Sequence, residues 1–104
     1  MPAAPPHPIP MSFTIPDDHA ALPGHFPGQP LVPAVVLIDQ ATEAARAAFA
    51  LGPLAGILRA KFLAPVRPGD PVRLTFAQRE DGAVAITGTL GAATAFTIEA
   101  RFGA

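Results

Sequence analysis

His25 is the residue whose surroundings most invite chemistry. It stands in the run Gly24-His25-Phe26-Pro27-Gly28-Gln29-Pro30-Leu31-Val32-Pro33, and prolines and glycines at this density stiffen a loop and forbid regular structure. Asp39 follows fourteen residues later as the first charge in an otherwise apolar stretch. An imidazole takes up and releases a proton near neutral pH. A carboxylate flanked by Val35, Val36, Leu37 and Ile38 is expected to be buried, its pKa raised so that it can donate a proton. The pair points to acid-base chemistry on an apolar substrate. His7 and His19 fall among prolines and beside an acidic turn, and neither has a comparable setting.

The elements that must position these groups follow from periodicity and turn residues. Ser12–Ile15 reads as a short strand ended by Pro16 and Asp17-Asp18. Pro33 suits a first helical turn, where its missing N–H costs nothing, and the Ala- and Leu-rich segment after it predicts a helix over Ala34–Phe49, halted by Gly52-Pro53. Gly56–Ala64 alternates, with Leu58, Ala60 and Phe62 on one face and Ile57, Arg59, Lys61 and Leu63 on the other. Pro68-Gly69-Asp70 is a turn signature. Strands are expected over Val72–Gln78, Val84–Leu90 and Ala93–Phe102, the first two joined by the hairpin signal Asp81-Gly82 and the last preceded by a Gly91 turn. One Ala-rich helix facing a mostly antiparallel sheet is an α+β layer architecture.

Composition narrows the class. The chain has 104 residues, half of them apolar, with seven Phe and no Cys, Trp or Tyr. That is one domain, residues 11–104, behind a Pro-rich leader at residues 1–10 that has little to bury and is expected to be disordered; Met11 is a second candidate start. Without cysteine there are no disulfides, no thiol nucleophile and no usual zinc ligand set, and no cofactor is expected. A formal charge of −1 gives no reason to expect nucleic acid. No apolar run approaches the roughly 20 residues needed to span a bilayer, no signal peptide is recognisable, and a soluble cytoplasmic protein is expected. So small a domain leaves much of its apolar surface uncovered, which favours completion by a second subunit.

Two segments carry a resemblance. Gly24-His25-Phe26-Pro27-Gly28-x-Pro30-x-x-Pro33, with an acidic residue on the following helix, resembles the active-site segment of the beta-hydroxyacyl-acyl carrier protein dehydratases. Phe62-x-x-Pro65-Val66-x-Pro68-Gly69-Asp70 is similar to a second segment of that family, in the expected order. The resemblance implies a hot dog fold, a curved sheet wrapped around one helix. It implies a homodimer whose sheets join edge to edge and share each active site, and an acyl carrier protein bearing a phosphopantetheine-linked substrate as partner; a higher homo-oligomer or a heterodimer stays open. Family members usually have Gly where this chain has Ala34, and carry a further helix and strand before the motif. In that respect the chain resembles short dehydratases of specialised polyene or fatty acid pathways. Asp in place of Glu at position 39 is similar to the branch that also isomerises the double bond.

Removing water from a 3-hydroxyacyl thioester needs a base for the proton beside the carbonyl, an acid for the departing hydroxyl, and donors for the charge that develops on the thioester oxygen. His25 is the candidate base and Asp39 the candidate acid. The free N–H groups of Ala34 and Val35, in the first helical turn, are candidates for the oxygen. Phe26, Phe49 and Phe62 are candidates for an acyl channel, though phenylalanines in a small core are often simply packing. Arg59, Lys61, Arg67 and Arg73 are candidates for docking an acidic carrier, or else solubilise the outer sheet face. Read alone, His25 also fits a loop histidine bonded to backbone, and Asp39 fits a polar stripe with Glu43 and Arg46. Two other functions stay open: a hot dog thioesterase using the helix carboxylate to activate water, against which the His25 loop speaks, and a helper subunit contributing half of a shared site.

Overall fold

The computed structural model describes residues 11–16 and 31–103, so the leader, His25 and Phe26 lie outside the described residues. The elements run β1 (Met11–Phe13), α1 (Ala34–Phe49), β2 (Leu54–Phe62), β3 (Val72–Gln78), β4 (Val84–Leu90) and β5 (Ala93–Phe102). The strands form one sheet in the order β1-β3-β4-β5-β2, with every neighbouring pair antiparallel.

Helix α1 has the expected limits. Pro33 caps it with an extended backbone and no side-chain hydrogen bond. It ends at Phe49, three residues before Gly52, because Ala50 adopts the left-handed conformation at φ 53° and both its N–H and that of Leu51 return to the C=O of Arg46. The buried stripe is Val36, Leu37, Ala41, Thr42 and Ala45, the spacing of one helical face. Ala41 and Ala45 are fully buried, so the axis lies close over the sheet. The sheet answers with Val72, Leu74, Phe76, Val84, Ile86, Ile98 and Ala100, all buried. Each of the larger chains contributes roughly 1.5–3 kcal/mol on burial.

The central meander β3-β4-β5 matches its predicted limits, and the two outer strands do not. β1 covers Met11–Phe13, while Ile15 leaves the ladder, is buried, and accepts a hydrogen bond of 2.9 Å from the N–H of Gly69. Gly69 sits at φ 90° after Pro68, the geometry of a turn with glycine in its third place; the Arg67 N–H is held by the Asp70 carboxylate at 3.0 Å.

β2 begins two residues earlier than its alternation suggests, because Leu54 already pairs with Phe102. The register slips between Ile57, opposite Ala100, and Arg59, opposite Glu99. This bulge makes Leu58 the extra residue and puts Ile57 on the face of Ala60 and Phe62, correcting the expected division of faces. β2 is an outermost strand, its second edge unpaired among the described residues. Leu54, Ile57, Leu58 and Phe62 in it, and Leu63 just beyond, are exposed. No helix among the described residues is long and apolar enough to cross a membrane.

Candidate active site

At the start of α1 the structure brings together two of the nominated residues, Ala34 and Phe62. The C=O of Pro33 accepts from the N–H of Val36 at 3.0 Å and of Leu37 at 3.3 Å. The N–H groups of Ala34 and Val35 have no acceptor among the described residues, as expected for the first turn of a helix. Both residues are exposed, Val35 to 70%.

Beside this turn lies an apolar cavity of about 160 Å³, walled by Leu31, Leu37, Phe62, Ala64, Pro65 and Val66, with Pro33 and Ala34 at the helix end. The wall is tied together where the Val32 N–H donates to the C=O of Val66 at 2.7 Å. Leu63 and Ala64 both donate to the C=O of Ala95, which fixes the end of β2 against β5. The Phe62 ring leans on Phe96, with centroids 6.1 Å apart at 40°. Phe96 is fully buried and lies across the ladder from Gly88, where an added Cβ would overlap its ring.

Asp39 is exposed, which corrects the expected burial. Sequence neighbours do not share a helical face. Residues four apart do, and Asp39 continues the open stripe of Val35 and Glu43. Its height above Val35 is one turn, about 6 Å. Its carboxylate enters no ion pair among the described residues, whereas Glu43 bonds Arg46 at 2.9 Å. Behind it the buried Thr42 hydroxyl donates to the backbone C=O of Ile38 at 2.8 Å and of Asp39 at 3.2 Å.

The other candidates divide. Phe62 borders the cavity, but Phe49 closes the far end of α1, about 22 Å along the axis from Ala34, and meets Phe76 edge to face at 5.8 Å. Arg59 and Lys61 share the outer face of β2, opposite Glu99 and Thr97. Arg73 lies on β3, three strands away, roughly 14 Å at the usual strand spacing, and Arg67 sits in the turn after Val66. The four therefore do not form one patch. They are nonetheless the basic residues without an ion pair among the described residues, since Arg46, Arg79 and Arg101 are each matched to a carboxylate. The cavity residues Ala64, Pro65 and Val66 were not singled out from the sequence, although they lie in the Phe62 to Asp70 segment that marks the resemblance. Phe96 gave no signal short of the strand register.

Comparison with known proteins agrees with this fold. A family model described as ApeI-like, ApeI dehydratase, matches residues 4–95. The 3-hydroxyacyl-[acyl-carrier-protein] dehydratase FabZ of Koribacter versatilis is 42% identical over 60 residues, 49% of this chain and 38% of that protein. FabZ of Thermomicrobium roseum is 39% identical over 59 residues, 49% of this chain and 40% of that one. The match thus spans about two-fifths of these curated relatives. Among solved structures, the dehydratase heterocomplex ApeI:P from Xenorhabdus doucetiae is similar at 26% identity and a TM-score of 0.79, over 91% of this chain and 86% of that one. An uncharacterized protein from Erwinia carotovora subsp. atroseptica is similar at 25% identity and a TM-score of 0.70, over 90% and 81%. An antiparallel sheet laid around one helix and a family match across most of the chain converge: this protein belongs to the ApeI-like dehydratase family and has the hot dog fold.

Proposed function

We propose that the protein removes water from a 3-hydroxyacyl thioester carried by an acyl carrier protein, giving the trans-2-enoyl thioester. The observation that carries this reading is the pair of N–H groups at Ala34 and Val35 without an acceptor among the described residues, Ala34 lining an apolar cavity and the Asp39 carboxylate lying one turn along the open stripe from Val35. Two N–H groups at a helix start suit the oxygen of an enolate-like intermediate. In the proposed step His25 takes the C2 proton, the C2 electron pair forms the C2–C3 double bond, and the 3-hydroxyl leaves as water with a proton from Asp39. Ala34 keeps its N–H where the resemblance implies Gly, so the donor is retained.

Asp39 faces outward from its own subunit, and the edge of β2, unpaired among the described residues and lined with exposed apolar side chains, suits a second sheet. Both features support a site shared across a dimer, with His25 and Asp39 drawn from different chains. Arg59 and Lys61 support docking of an acidic carrier. The heterocomplex relative favours a second reading, in which this chain supplies half of a site completed by a different subunit.

Mass spectrometry of the carrier-bound acyl group tests both. Loss of one water by the purified chain, abolished in His25→Ala and Asp39→Asn, is the expected result. Release of free acid would mean a thioesterase, and activity that appears only on adding another subunit would establish the second reading. Unchanged substrate in every combination would end the dehydratase proposal.

A further inference from the structure

We propose that the outer face of the sheet carries a binding site for a phosphate group, built from Ser12 on β1, Arg73 on β3 and Thr89 on β4. The inference is independent of the acyl-thioester reading and concerns the face turned away from α1. Val72 and Leu74 are buried in the core with the stripe of the helix, so Arg73 between them points to the other face. The register sets Ser12 opposite Arg73 and Arg73 opposite Thr89, one polar row across three strands that lie about 4.8 Å apart. These three side chains line a single groove together with Pro71 and Gly91.

What marks the groove is a charge without a counter-charge. Arg73 enters no ion pair among the described residues. Its neighbours on this face are hydroxyls: Ser12 and Thr89 beside it, Thr75 two residues along β3, and Thr87 diagonally across on β4. The carboxylates are engaged elsewhere. Asp70, close by in sequence, accepts from the Arg67 N–H at 3.0 Å, and Glu99 is bound to Arg79. A guanidinium presents a planar fork of donors and no acceptor, while a hydroxyl turns to donate where it is needed. The Thr89 hydroxyl donates to the C=O of Arg73 across 3.4 Å, a long bond that is given up at little cost. A carboxylate has two oxygens to satisfy such a row, whereas a phosphate monoester has three, enough for the fork and for a hydroxyl on either side of it. Bound there, it would tie β1, a strand of three residues, to β3 and β4.

The test follows the backbone amide and arginine side-chain NMR signals of the full chain as inorganic phosphate replaces chloride at constant pH and ionic strength, with glycerol 3-phosphate and acetate as parallel titrants. Phosphate should saturate, shift Ser12, Arg73 and Thr89 together, and bind about tenfold more tightly than acetate, the difference of one charge-assisted hydrogen bond. Arg73→Gln should weaken it at least about tenfold. Thr89→Val should weaken it by about threefold, less because that hydroxyl leaves one acceptor for another. Arg59→Gln, on the same face of β2, should leave it unchanged. Glycerol 3-phosphate binding at least as tightly as the free ion would support the site with an ester as its ligand, and a preference for the free ion would support it with inorganic phosphate. Absence of saturation, acetate binding as tightly as phosphate, shifts spread equally over Arg59 and Lys61, or an unchanged affinity in Arg73→Gln would each overturn it.

Discussion

Gly88→Ala is the substitution whose outcome follows most directly from the structure. Glycine to alanine in a strand ordinarily stabilises by about 0.4–1 kcal/mol, because the unfolded chain loses freedom. Gly88 is not among the glycines with positive φ, so its backbone raises no objection. The obstacle is the Phe96 ring, whose Cε1 would stand 2.8 Å from the new methyl, with two further ring atoms closer still. Phe96 is fully buried and flanked by Phe62, and forcing extra carbon into such a site costs about 1–3 kcal/mol. The net expectation is a loss of about 1–2 kcal/mol, or roughly 4–8 °C in Tm for each kcal/mol in a domain of this size. Reversible urea unfolding measures it. The decisive comparison repeats the substitution in a Phe96→Leu background. With the ring gone, Gly88→Ala should become neutral or stabilising, a coupling of more than about 1 kcal/mol. The same destabilisation in both backgrounds would refute the steric argument.

Three further outcomes are expected. Ala50→Gly should raise stability by about 1 kcal/mol, since Ala50 caps α1 at φ 53°, a conformation costly for any residue with a Cβ; a drop in Tm would refute it. Leu58→Lys on the open edge of β2 should reduce the sedimenting mass to that of a single chain, with Thr75→Lys on β3 as an unaffected control, and equal masses would refute an interface at β2. The Ala83 N–H above all, opposed by desolvation and joined by the Arg101 and Arg79 guanidiniums, holds the Asp81 carboxyl below its ordinary value of 3.8. The folded state therefore binds this proton less readily, and its contribution is complete above pH 3.8 and lost as pH falls through the depressed value. Asp81→Asn should flatten the acid limb of the stability profile, and an unchanged slope would count against it.

Local signals and cross-strand facts separate cleanly in this chain. Pro33 and the Ala-rich run after it located α1 to the residue, and alternation with Asp81-Gly82 did the same for β3 and β4, because each depends on neighbours within a few positions. β2 was placed two residues late and its faces were misassigned, since its start is set by Phe102 and its bulge by the pairing with β5. Asp39 read as buried because its immediate neighbours are apolar, yet a helix sorts residues by steps of three and four. The histidine loop and the Phe62 to Asp70 segment announced the family. What the segment could not announce was that Phe62 leans on Phe96, a partner 34 positions away that only the register brings opposite.

The place of β2 at the sheet's edge also bears on how the chain is made. β2 leaves the ribosome well before its strand partner β5, since about 40 residues separate Phe62 from the end of β5 at Phe102. At ordinary elongation rates that is roughly 2–8 s during which the strand waits unpaired. Through that interval Leu54, Ile57, Leu58, Phe62 and Leu63 lie along a nascent segment of high sticking tendency. Arg59 and Lys61 stand in the middle of it, at the positions where charged gatekeepers keep such a strand from joining its neighbours on a polysome.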